Sequence, residues 1–492
     1  METVERPRDS STAARVALLG ALLLVLSVTV VAGVAVRDVS IVVILATPFV
    51  LAPNWLLRWH VIVGWILVVV LFIPIKRYDL SANLPFDLEP YRLVVAAALV
   101  VWITALLIDP GVRIRRSGFE QPMALIVIAT ICSELVNGAR VADLSSYVVK
   151  AVSFFLSFVL FFYFVVGVVR TRARVDSLVK LLVVGGATLG GFAVLERRTG
   201  FNVFDHLHSV VPVLRFLGND ESVRGGDIRA EASAQHPIAL GVALVMLLPL
   251  AVYLTQREPR HAKRWWAAAA LLFGGTLCTG SRTGFLGLVV VLLVFLVLRP
   301  AATRKLWPLA VPLALAVHFA VPGAIGEFRS GFFPRGGIIA EQSHVVRGNA
   351  QIALLSNNRL ADIGPSMTEF REHNPLFGEG YGTRITGYGE EFINAAILDD
   401  QWLKTLLETG IAGVIGWLWL LARSTWGLCK LARRDLSEGG WLATALAASI
   451  ASFAVAMATY DSLSFVQITF LIFVVLALSA VTLRLTGESA AP

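Results

Sequence analysis

RLADIGPSMTEFREHNPLFGEGYGTRITGYGEEFINAAILDDQWLKTLLETGIAG, running from Arg359 to Gly413, is a long polar stretch in a chain that is otherwise mostly apolar. It gathers what chemistry requires: Arg359, Arg371 and Arg384, one histidine (His373), and acids that end in Asp399 and Asp400. Its glycines permit tight turns. The rest of the chain reads as a scaffold that holds this stretch at one face of a membrane.

Composition gives the same answer. Of the 492 residues 57% are hydrophobic and only 15% are charged, against about 25% charged in a soluble domain. The mean hydropathy is +0.74. These values exclude an ordinary soluble globule and describe a polytopic membrane protein. The net charge of +8 comes from short basic clusters between apolar spans, with no aromatic-interleaved patch, which argues against nucleic acid and for membrane topology. Cys132, Cys278 and Cys429 lie in or beside apolar spans without CxxC or Cys/His spacing, so neither disulfide staples nor a zinc site is expected.

A bilayer-crossing helix needs about 20 mainly apolar residues. With that ruler the spans fall near 14–35, 39–52, 58–75, 91–108, 121–138, 150–169, 177–195, 236–254, 265–280, 283–298, 306–322, 409–423, 440–457 and 463–483. The expected fold is therefore an all-α integral membrane protein of about 14 (12–14) transmembrane helices, with a large outer loop between the eleventh and twelfth. The second span is short enough to be re-entrant. The first has a longer apolar run than a signal-peptide core and is kept as a helix.

Orientation follows from charge. The clusters Arg113/Arg115/Arg116, Arg170/Arg172/Arg174, Arg257/Arg260/Lys263/Arg264, Arg299/Arg304/Lys305 and Arg423/Lys430/Arg433/Arg434 fall on one side. The positive-inside rule makes that side cytoplasmic, with both termini inside. The chain then divides into N-terminal helices (1–195), an outer loop (196–235), central helices (236–322), a large outer loop (323–408) and C-terminal helices (409–492). Long loops of this kind are where a site is expected.

Three constellations stand out. Arg224 and Arg229 precede a helix start at His236-Pro237, where free N–H groups favour an anion, although arginines there also suit lipid headgroups. TGSRTGFLGL, residues 279–288, puts Ser281 and Arg282 at an outer junction of two spans, with snorkelling as the plainer reading. Asp399 and Asp400 open the next helix, where an acid either caps the helix or, beside a second carboxylate, is tuned as a base. His373 reads as a solvated loop residue, and His318 and Glu134 as hydrogen-bonded groups inside spans. Tyr460-Asp461 lies on the last outer turn and is placed where it could face the site.

These landmarks resemble the O-antigen ligase and polysaccharide polymerase superfamily, of the Wzy and WaaL type. The resemblance runs from about Arg224 onward through HPIALG, SRTG, the loop with Arg359 and NPLFGEGYGT, and DDQWLKTLLETGIAG. It implies an enzyme, a glycosyltransferase; the acids form no DxD motif or recognisable ligand set, so metal independence is expected, and no cofactor is expected. Such an enzyme takes an oligosaccharide from a polyprenyl-diphosphate carrier and places it on the hydroxyl of an acceptor glycan or lipid. The work is done among membrane lipids at the outer face of a bacterial plasma membrane. Arg229, Arg282 and Arg359 are the expected diphosphate ligands, with Arg224 and Arg384 in reserve, and Asp400 or Asp399 is the expected acceptor base. Ligases carry HNx9GxxG, whereas here Asp399-Asp400 occupies the first two positions ahead of Gly410 and Gly413. That departure favours a polymerase for surface or exopolysaccharide biosynthesis over a ligase. A lipid-linked sugar flippase is the alternative of another class, for which inverted halves and broken helices are the expected marks.

Overall fold

The computed structural model describes residues 58–80, 89–211, 213–219, 223–224, 227–305, 344–347, 350–353, 363–386, 394–395 and 398–489. The spans expected at 14–35, 39–52 and 306–322, together with His318, lie outside the described residues. Where the apolar segments are described, they are helices: α1 (Trp59–Phe72), α2 (Pro90–Ile108), α3 (Glu120–Val136), α4 (Ser145–Val168), α5 (Arg172–Thr199), α6 (Pro237–Arg257), α7 (Ala262–Cys278) and α8 (Arg282–Leu298). After the amphipathic α9 (Ile363–Glu372) come α10 (Gln401–Arg434), α11 (Glu438–Ala456) and α12 (Val466–Ser489). Seven of these, α2, α4, α5, α6, α10, α11 and α12, are long and apolar enough to cross a membrane. The protein is an all-α membrane protein. Short antiparallel pairs, such as Tyr78–Leu80 with Leu214–Phe216, are confined to the connections.

Helix bounds follow local chemistry. His236 caps α6 through its ring nitrogen, with Pro237 in the first turn. Ser281 caps α8 and Ser437 caps α11. Gly200, in the left-handed region at φ 72°, ends α5. One span is longer than its apolar core, because the helix around 409–423 begins at Gln401 and runs to Arg434.

The helix order and burial show where the core sits. α12 is the axis: 94% of its apolar window is buried, and it packs against α4, α10, α11, α6 and α5. A helix apolar all round belongs in such a centre. By contrast Leu107, Leu292, Leu293, Leu418 and Trp426 are exposed on peripheral helices, as a lipid-facing surface requires.

The start of α5, the end of α6 and the start of α11 meet at one basic end of the bundle. At the basic end Asp176 accepts from Tyr253 Oη (2.6 Å), Arg257 Nε (3.0 Å) and Arg172 Nε (3.2 Å), and Arg257 Nη1 pairs with Glu438 at 2.6 Å. This clamp ties α5, α6 and α11 together. The opposite end holds the polar loops.

Candidate functional site

At the polar end, residues 229–236 run, without helix, into the bundle. The backbone is buried, and Ala230, Ala232 and Ala234 are fully inaccessible. Every buried peptide group there needs a partner. Ala230 N–H donates to Cys278 O (3.2 Å), and Arg229 Nε donates to Thr279 O (3.0 Å). The two arginine motifs, Arg229 and TGSRTG, therefore meet at one turn, which Gly280 makes at φ 55°. Packing brings the backbones close: a Cβ on Gly241 would lie 2.9 Å from Thr279 Oγ1, and one on Gly284 3.1 Å from Thr276 Cγ2.

The next four residues, 231–234, are held from both sides. Glu196 accepts from the N–H groups of Glu231 (3.2 Å) and Ala232 (2.8 Å). Arg77 donates to the carbonyls of Ala232 (2.9 Å) and Ala234 (2.5 Å), and pairs with Asp205 (3.1 Å) and Glu231 (2.8 Å). Burial pushes the Glu231 carboxyl above its ordinary range, against the pull of Arg77.

The second piece is an interrupted helix. Within α10, Gly410 sits at φ 66°, ψ −166°, a conformation essentially confined to glycine. The loop NPLFGEG fills the break. Glu379 N–H donates to Leu407 O (2.9 Å) and Gly380 N–H to Glu408 O (3.3 Å), while Ile411 and Ala412 N–H donate to Pro375 O (3.0 Å) and Leu376 O (3.1 Å). Two carbonyls and two N–H groups left over at the break are thus satisfied by one loop, as buried peptide groups require. From α3, Ser133 Oγ donates to Glu408 O, and Asn137 Nδ2 to Gly378 O at 3.0 Å. Beside this knot Glu379 is shared by Arg384 (2.7 Å) and Arg140 (2.9 Å), and Arg384 also pairs with Glu369.

The third piece is the turn Met457–Val466, which joins the other two. Thr459 Oγ1 donates to Thr283 Oγ1 (2.9 Å), two residues beyond Ser281. Gln401 N–H donates to Met457 O (2.8 Å), Leu463 N–H to Gln401 Oε1 (2.9 Å) and Val466 N–H to Gln235 Oε1 (2.9 Å). Lys404 Nζ donates to Asp461 Oδ2 (2.9 Å) and to Ser464 Oγ (2.8 Å), and Ser464 Oγ donates in turn to Asp461 Oδ2 (2.5 Å). Asp461 Oδ1 is buried and accepts no hydrogen bond among the described residues. Burial raises the Tyr381 hydroxyl, and the charges of Glu408, Asp461 and Glu134 push it the same way. Tyr460 is likewise raised by burial and then by Asp461.

The residues singled out from the sequence are distributed unevenly over this arrangement. Arg229 and Arg282 come to the same turn. Asp400 caps α10, accepting from Trp402 N–H (2.7 Å) and Leu403 N–H (3.1 Å), and Asp399 lies beside it, partly buried. Arg384 is engaged by two glutamates. His373 is not a solvated loop residue: Nδ1 lies 2.9 Å from Glu369 O and Nε2 3.7 Å from Glu379, because α9 folds against the glycine loop. Arg224 is in a short strand whose side chain lies outside the described residues, as does all of Arg359. Lys404, Glu408, Arg77 and Glu196 went unread. Lys404 and Glu408 did leave a trace, as two charges four apart on the face of an otherwise apolar helix.

Among the described residues no group of three or more His, Cys, Asp or Glu side chains is arranged to hold a metal ion. No curated protein matches the chain. Residues 267–418 match the family model described as O-antigen ligase. That segment contains TGSRTG, the glycine loop and the broken part of α10, and its match supports the resemblance to the O-antigen ligase/polymerase superfamily.

Proposed function

We propose that the protein is a membrane glycosyltransferase that moves an oligosaccharide from a polyprenyl diphosphate to an acceptor hydroxyl at the outer face of a bacterial plasma membrane, with both termini cytoplasmic. The observation that carries the reading is the meeting of Arg229 with the Thr279–Arg282 turn, joined through Thr283 and Thr459 to the Lys404–Asp461 pair. Two arginines and a carboxylate on one connected frame are the parts this transfer needs.

In the step, the acceptor oxygen forms a bond to the anomeric carbon as the bond from that carbon to the diphosphate oxygen breaks. The electron pair leaves on the diphosphate. Arg229 and Arg282, with Arg359 and Arg224 from the outer loops, supply guanidinium charge to it, since arginine stays protonated and presents a fork of donors. The acceptor proton goes to a carboxylate. Asp461 fits this role well, because Lys404 and Ser464 hold Oδ2 in place and Oδ1 is left to accept; Asp399 is the second candidate, and Asp400 serves the helix cap. Arg384 holds the glycine loop rather than substrate. No divalent metal takes part, so chelation leaves the rate unchanged.

The aspartate in place of the ligase histidine favours polymerisation over transfer to a final acceptor. A flippase remains the second reading, because α10 is broken, as that reading expects. The break is filled by loop backbone, however, and the charges gather at one end.

Polymer length in proteoliposomes supplied with lipid-linked repeats tests the proposal, comparing wild type with Arg229→Ala, Arg282→Ala, Arg359→Ala and Asp461→Asn at matched protein. Long chains from wild type and single repeats from the variants support it. Movement of repeats across the bilayer without new glycosidic bonds would establish the flippase instead.

A further inference from the structure

Arg77 and Glu196 have no place in the chemistry above, yet between them they hold four peptide groups of the segment that carries Arg229. Glu196 takes two successive N–H groups, those of Glu231 and Ala232, one on each carboxylate oxygen. Arg77 takes the carbonyls of Ala232 and Ala234 with two different nitrogens. Asn202 Nδ2 bridges them, donating to Glu196 Oε1 (3.2 Å) and to Ala232 O (3.0 Å). Between the two clamps Ala232 stands at φ 46°, a left-handed conformation that a residue with a Cβ rarely adopts. Such strain persists only where the surroundings over-determine it, and it concentrates at functional sites.

The strained residue lies three positions after Arg229 and the clamp reaches it from elements far away in sequence, with Arg77 and Ala232 155 residues apart. A helix or a strand would satisfy these peptide groups without any side chain. The chain instead uses a buried acid and a buried arginine to keep a non-regular backbone.

We infer that Arg77 and Glu196 are positioning residues for the diphosphate site: by clamping opposite edges of residues 231–234 they hold Arg229 against the Thr279 turn, next to Arg282, so that the two guanidinium groups face one diphosphate. The inference rests on the diphosphate reading of Arg229 and Arg282. Neither Arg77 nor Glu196 touches the ligand. Their effect is on the geometry of the arginine that does, and affinity for a diphosphate is the quantity they set.

Geranylgeranyl diphosphate is a suitable probe, because it carries the diphosphate and an isoprenoid tail without any sugar; geranylgeraniol is its phosphate-free control. Binding of both to the purified full-length protein is measured for wild type, Arg229→Ala, Arg282→Ala, Glu196→Gln and Arg77→Lys, together with the melting temperature of each without ligand. Glu196→Gln keeps size but can accept on only one atom, and Arg77→Lys keeps charge but loses the fork. Both are expected to weaken the diphosphate by roughly tenfold, as for loss of a charge-assisted hydrogen bond, and to leave geranylgeraniol unchanged. Damage that is merely structural would weaken both probes together. If Arg229→Ala weakens the diphosphate while Glu196→Gln and Arg77→Lys bind it as wild type does, the clamp is not a positioning device and the inference is overturned. If Arg229→Ala and Arg282→Ala themselves bind as wild type does, the diphosphate reading fails first. Should Glu196→Gln not fold, Asn202→Ala, which removes only the bridge, is judged by the same criterion.

Discussion

Gly410→Ala is the substitution whose cost the structure fixes most directly. The residue lies inside α10 at φ 66°, ψ −166°, where an L-residue bears about 1–3 kcal/mol of strain. A Cβ added there would also collide with the Leu376 carbonyl and lie 2.5 Å from Phe377 N, both backbone atoms of the loop that fills the break. Backbone cannot swing aside as a side-chain tip can. The Leu376 segment must withdraw, and the bonds from Ile411 and Ala412 to Pro375 and Leu376 go with it. At about 0.5–1.5 kcal/mol for each such bond, the expected loss is about 2–6 kcal/mol in all. Thermal unfolding in one detergent, followed by tryptophan fluorescence, reads this as a clear fall in melting temperature. Gly364→Ala is the control, since a Cβ there meets nothing within 4 Å and the residue lies in a helix; it should be neutral or gain up to about 1 kcal/mol. A Gly410→Ala protein that melts with wild type would show that the loop does not plug the helix break as described.

Glu379→Gln leaves Arg384, whose side chain is 2% exposed, with only Glu369 of its two carboxylates and weakens the hold on Arg140; a stability loss of about 3 kcal/mol, the lower end for a broken buried pair, is expected in the same assay, whereas Glu369→Gln, at a 34% exposed side chain, should cost under about 1 kcal/mol. Lys404→Met leaves Asp461 without its cation, and because both side chains keep some exposure (17% and 16%) the cost should be near the lower end, about 3 kcal/mol, with Asp461→Asn added in the same chain restoring most of it. Glu231 has a raised carboxyl, so its contribution to stability is complete below the ordinary glutamate value of about 4.3 and is lost as pH rises through the higher folded value. Melting temperature measured against pH should therefore fall less steeply on that limb in Glu231→Gln than in wild type, and identical slopes would refute the assignment.

Several residues of the candidate site stood out one by one in the sequence, but few of its contacts were legible there. Arg282 stood out because a charge at the junction of two apolar spans is costly, and Arg229 because it precedes a helix start whose free N–H groups favour an anion. Asp400 was readable as an acid at a helix start, though the sequence left capping and base chemistry open and the structure shows the cap. His373 was misread because its partners, Glu369 O and Glu379, come from a helix and a loop folded against each other. Arg77 could not be found at all: it sits in a short connection, and what it grips are backbone carbonyls, which carry no residue signature.

The sequence by itself determined that the chain is a bundle of apolar helices, where most described helices lie and which connections are polar. The reason is local: a run of about 20 apolar residues has to satisfy its own peptide groups in a bilayer, and a helix does so within the segment. Tertiary structure alone decided that Arg229 meets Thr279, that NPLFGEG plugs the break at Gly410, and that Lys404 finds Asp461, 57 residues further on. These pairings depend on how helices stack around α12 and on peptide groups left over where helices stop. Such groups take whichever partner the packing brings within hydrogen-bond reach, and that choice is a property of the assembled bundle.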